Sequence, residues 1–124
     1  LKVLALRYRT LPAMGRTHGM FAEPTAFGLR FLGFFSEWQR NRDRLEKSLD
    51  QLRVGKLSGA VGANSHLSCA EEARILASLS LRPEPVSTQV IPRDRLADLF
   101  SVFGVMGGGL ERIALELRHL QRSE

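Results

Sequence analysis

The sequence holds a single cysteine, Cys69, one tryptophan and one tyrosine among 124 residues. One cysteine excludes an intrachain disulfide, which fits a reducing compartment and gives the expectation of a cytoplasmic protein. Cys69 itself is expected as a small buried hydrophobe, not a nucleophile. Long apolar runs are missing too. The longest strongly apolar, uncharged stretch, Leu99 to Leu110, falls far short of the roughly 20 residues a membrane span needs. No signal-peptide pattern is visible, so no membrane partner is expected. The three histidines, His18, His66 and His119, lack metal-ligand spacing to one another or to Cys69, so no metal site is expected. No glycine-lysine-Ser/Thr triplet occurs, which excludes the usual phosphate-binding loop.

What is present is basic. Eighteen lysines and arginines against 13 acidic residues leave a net charge of +5 and a pI near 10.3. Arg40, Arg42, Arg44 and Lys47 cluster, but Asp43, Glu46 and Asp50 interleave with them. That mixture, without stacking aromatics, describes a solvated helix face and argues against a nucleic-acid partner. The surplus positive charge suits the steering of a small polyanionic substrate.

Two helical patterns dominate. The first begins near Glu23-Pro24-Thr25 and runs from about 25 to 53, since proline suits a first helical turn. Phe27, Phe31, Phe34, Trp38, Asn41, Leu45, Ser48 and Leu52 step by four and three, a heptad seam with two polar interruptions. The second runs from about 92 to 122, with a seam of Leu96, Leu99, Phe103, Met106, Leu110, Ile113, Leu117 and Leu120. Phe100, Val102 and Val105 make its middle apolar on nearly every side, the mark of a helix buried all round. Gly104, Gly107, Gly108 and Gly109 interrupt it, and close approach of neighbouring backbones is the expected compensation. Between the two helices lie a Gly-rich loop over 54–67 and a short helix over about 68–81, with Ser68 and Glu71 forming a capping box. No strand pair is expected. The fold class is all-α, a long-helix bundle. Both ends are expected to continue into a longer protein, because Leu1 opens directly into an apolar run and Arg122-Ser123-Glu124 follows no stop signal.

Gly15-Arg16-Thr17-His18-Gly19 places a cation, a hydroxyl and an imidazole between glycines, in a histidine loop over 14–25 ahead of the first long helix. His18 can exchange a proton near neutral pH, as acid–base catalysis requires, although a loop histidine is more often a structural hydrogen-bonder. Lys56 and Ser58 in the Gly-rich loop could help backbone amides cradle an anion, with a plain turn between helices as the simpler reading. Gln89, where an extended segment meets a helix, can bind a carboxylate or base edge, or cap the helix.

Met14-Gly15-Arg16-Thr17-His18-Gly19, Ala22-Glu23-Pro24-Thr25 with Phe27-Gly28, Val54 to Gly62, Ser87-Thr88-Gln89-Val90 through Asp94, and Glu111-Arg112-Ile113 through Arg122 together resemble segments of adenylosuccinate lyases, in order over nearly the whole chain. The resemblance implies part of the central helical domain of the fumarase/aspartase superfamily. It implies a homotetramer whose sites draw on three subunits, and elimination of fumarate from adenylosuccinate and from a succinylated carboxamide intermediate in purine biosynthesis. The substrate would be an anionic nucleotide, and no cofactor is implied. By the same resemblance His18 is the general acid that protonates the leaving nitrogen, while Thr17 and Gln89 contact substrate. The proton-abstracting serine lies in a loop beyond these residues. Met20 and Phe21 stand where many relatives carry Gln or Val followed by His. The alternatives are a non-catalytic helical oligomerisation module, or a sibling lyase acting on argininosuccinate or carboxymuconate.

Overall fold

The computed structural model describes residues 1–123. The chain forms two compact units, Leu1–Asp43 with Gly104–Glu124, and Arg44–Phe103. It is mainly helical, with two small two-stranded sheets.

In the first unit, helix α1 (Lys2–Arg7) leads into an antiparallel hairpin of β1 (Pro12–Thr17) and β2 (Met20–Ala26), and helix α2 (Gly28–Gln51) follows. The hairpin corrects the expectation that no strands pair here. Pro24, expected to open the helix, instead pairs with Met14 in the ladder. Proline is tolerated there because a two-stranded ribbon consists of edges only. Register shifts by one residue between Met14 and Arg16, opposite Ala22 and Glu23. Gly15 lies at this bulge, where an added Cβ would stand 2.7 Å from the Glu23 carbonyl oxygen. The strand signal was weak because β-branched residues are scarce between Pro12 and Ala26.

The end of the hairpin is tied to the segment that follows α1 by the Phe27 amide donating to the Leu11 carbonyl (2.8 Å) and the Gly28 amide donating to the Tyr8 carbonyl (3.0 Å). Gly28 is buried, and any Cβ there would strike the α1 backbone at the Ala5 carbonyl. Beside it, Tyr8, Phe27 and Phe31 form an aromatic cluster with centroids 5.4–6.1 Å apart, Phe27 meeting the other two edge-on. Such pairs contribute about 0.5–1.5 kcal/mol each beyond area burial.

The heptad seam of α2 is the inward face: Phe31, Phe34, Trp38 and Leu45 are half-buried, and Asn41 and Ser48 are buried completely. Helix α4 (Asp94–Leu120) differs from its expected seam. Its inward positions are Leu99, Val102, Met106, Gly109, Ile113 and Glu116, while Leu96, Phe103, Leu110, Leu117 and Leu120 remain exposed. The four-three alternation holds, but alternate positions fall one residue earlier. In the first unit Gly109 faces α2, where an added Cβ would stand 2.8 Å from Glu37 Oε1 and 3.6 Å from Asn41 Nδ2. Gly109 thus holds the inward position where Leu110 was expected, and its neighbours are side-chain ends, not the close backbone that was expected. Gly104, Gly107 and Gly108 have open space around them.

In the second unit, β3 (Val54–Gly55) pairs in parallel with β4 (Arg82–Pro83), and helix α3 (Cys69–Ser78) makes the crossover between them. The Ser68–Glu71 capping box starts α3. Cys69, expected as a buried hydrophobe, is exposed on the first turn of this helix. It begins the helix, two turns before Leu76, which is 3% exposed and packs over Gly55. Arg82 pairs with Asp50 at 3.0 Å, and Arg95 forms a forked ion pair with Glu84.

Candidate functional site

The first unit presents Thr17 and His18 together. Thr17 ends β1 opposite Met20, and His18 and Gly19 form the two-residue turn. Both turn residues have positive φ, +54° and +76°, as in the primed turns that match the twist of a hairpin. Histidine is among the few non-glycine residues that accept this region. The imidazole is therefore carried at an exposed tip, on a backbone whose direction the strand ladder sets. Beside the turn is a cleft of about 460 Å³, with Arg16, Arg30, Glu116, His119 and Arg122 on its walls. Arg30 reaches across to pair with Glu116 and donates to the Met14 carbonyl at 3.4 Å. Arg16 stacks over Phe21, 4.7 Å from the ring centre. The cleft is net positive, as an anionic ligand requires.

The second unit organises the Gly-rich loop. Gly59, Gly62 and Asn64 have φ of +83°, +80° and +49°, and the Asn64 amide closes the loop on the Ser58 carbonyl at 2.9 Å. The Lys56 ammonium donates to the Gly59 carbonyl, so it braces the loop from within. Glu72, 6% exposed, accepts the Leu57 amide at 2.6 Å and the Asn64 side-chain amide at 2.9 Å. These two donors, with the Lys56 charge, hold its carboxyl below the ordinary carboxylate range, against the opposing effect of burial. The buried Ser58 shares a hydroxyl hydrogen bond with Ser87. At Gly62 an added Cβ would collide with the Ser87 carbonyl. The loop and the segment before Gln89 are thus in direct contact, while Gln89 itself is exposed.

Thr17 and His18 fall in the first unit and Gln89 in the second. Sequence reasoning missed Glu72, Asn64 and Arg30. For Glu72 a signal was available: it sits one turn before Leu76, on the buried face of α3, where an unpaired carboxylate is costly. Among the described residues no group of histidine, cysteine and acidic side chains is arranged to hold a metal ion. No described helix is long and apolar enough to cross a membrane.

A lyase family model matches residues 1–124. The chain belongs to that family. Among curated relatives it is 51% identical over 121 residues to the adenylosuccinate lyase of Thermotoga maritima, covering 98% of this chain and 28% of that protein. It is 38% identical over 124 residues to the adenylosuccinate lyase of Bacillus subtilis. The chain thus spans little more than a quarter of these relatives' length. Among solved structures, a fumarate lyase from a Mesorhizobium species superposes with a TM-score of 0.84 at 28% identity, over 98% of this chain and 29% of that one. A β-carboxy-cis,cis-muconate cycloisomerase from Acinetobacter calcoaceticus gives 0.81 at 27%, over 96% and 28%.

Proposed function

We propose that these residues form part of a carbon–nitrogen lyase that releases fumarate from adenylosuccinate and from the succinylated carboxamide intermediate of purine biosynthesis. The observation that carries this reading is the 51% identity to an adenylosuccinate lyase along 98% of the chain. The two solved structures, a fumarate lyase and a cycloisomerase, stand lower at 28% and 27%.

In this reading a base outside residues 1–124 removes the carbon-bound proton. The carbon–carbon double bond of fumarate forms, and the electron pair of the breaking carbon–nitrogen bond goes to the nitrogen. His18 delivers a proton to that nitrogen as general acid, a role an imidazole N–H can fill. Thr17, adjacent on the same turn, contacts substrate, and Gln89 binds it through its amide. The positive cleft beside the turn favours a nucleotide anion.

The working protein is a cytoplasmic homo-oligomer, a tetramer in the family pattern. The apolar residues that α4 leaves exposed support this: Leu96, Phe100, Phe103, Leu110 and Leu117 recur at heptad-compatible steps. The test is turnover by the full-length protein of adenylosuccinate, its succinylated carboxamide relative and argininosuccinate, each followed as fumarate release, and of carboxymuconate, followed as loss of that substrate. Turnover confined to adenylosuccinate and its carboxamide relative is expected. Preference for either other substrate would replace this reading with that of a sibling lyase.

A further inference from the structure

We propose that Glu72 is a positioning residue for the elimination reaction, setting the Gly-rich loop and, through it, the segment that carries Gln89. This rests on the reading of Gln89 as a substrate-binding group. Glu72 touches no substrate in this scheme.

The geometry is that of a staple. One carboxylate oxygen takes the amide of Leu57, at the start of the loop, and the other takes the side chain of Asn64, at its end. The residues between include two glycines and end at Asn64, all three at positive φ. Such backbone conformations persist only where surrounding contacts impose them. From the stapled loop, Ser58 bonds Ser87 and Gly62 abuts the Ser87 carbonyl, two residues from Gln89. Helix α3 does not need Glu72 for its own start, because Ser68 and Glu71 already satisfy the cap. The carboxylate of Glu72 is directed outward from the helix to the loop. Its depressed titration keeps it an acceptor at neutral pH.

The experiment uses the full-length protein with Glu72→Gln, Asn64→Asp and the double variant. In Glu72→Gln the side-chain oxygen can still accept from Leu57, but its amide then faces the Asn64 amide, donor against donor. Asn64→Asp restores an acceptor there, and aspartate tolerates the left-handed backbone. Two readouts are taken: hydrogen exchange in peptides covering residues 57–64, and KM and kcat for fumarate release. Glu72→Gln is expected to speed exchange by about tenfold and to raise KM by roughly tenfold with a smaller change in kcat. The double variant is expected to recover both. Unchanged exchange and KM in Glu72→Gln would overturn the proposal, as would a double variant no better than the single one. If the wild-type protein releases no fumarate, the functional reading fails, while exchange and its rescue still decide whether Glu72 sets the loop.

Discussion

The hydroxyls of Ser58 and Ser87 lie 3.2 Å apart, joining the Gly-rich loop to the segment that carries Gln89. At the same seam Gly62 packs its Cα against the Ser87 carbonyl with φ of +80°. Gly62→Ala should therefore combine left-handed strain with a backbone collision and cost about 3 kcal/mol. Gly59→Ala, at φ +83° but in open space, should cost only about 1 kcal/mol. Denaturant unfolding of the two variants measures the difference. Equal losses would show that Ser87 does not constrain the loop.

Arg30 links α2 to Glu116 of α4 and to the Met14 carbonyl of β1. Its side chain and that of Glu116 are 28% and 27% exposed, so the pair is only partly screened. Arg30→Met keeps the apolar stem and removes the guanidinium. It should destabilise the protein by about 1–2 kcal/mol, with looser protection of the β1 amides in hydrogen exchange.

Glu72 titrates below its ordinary value in the folded chain. A depressed folded pKa contributes stability that is present above the unfolded value, about 4.3, and lost as pH falls through the folded one. Wild type should therefore lose melting temperature on acidification from about pH 5 more steeply than Glu72→Gln. Parallel melting curves of the two across that window would contradict the assignment.

His18→Gln in the full-length protein should keep the fold, because the residue sits exposed on a hairpin turn and not on either helical seam. If His18 is the acid, the rate constant falls by roughly two to four powers of ten, with a modest change in binding. One limb of the pH–rate profile should disappear with it. Normal turnover would remove His18 from the mechanism.

The exposed apolar residues of α4 give a test of self-association. Phe103 is 46% exposed and Leu110 57% exposed, and replacing each with glutamate should dissociate the oligomer. Sedimentation of the full-length variants measures this. A folded monomer before any substitution would count against the proposed tetramer.

The long helices and the capping box were legible in the sequence because each rests on local physics: four-three apolar spacing, and a serine that caps with a glutamate three residues on. The family resemblance was legible too, since it is carried by the order and identity of residues. The hairpin was hidden, because strand pairing depends on partners across a turn, and Pro24 signalled a helix start more strongly than a ladder position. The inward face of α4 was also undecided by pattern. A helix apolar on several sides offers more than one heptad stripe, and the periodicity alone favoured the large residues. Tertiary packing chose the stripe that runs through Gly109, where the Glu37 and Asn41 side chains of α2 lie against the helix. Glu72 shows the same division: its place on the buried face of α3 follows from helical spacing, but its two donors, Leu57 and Asn64, come from a loop that only the folded chain brings against it.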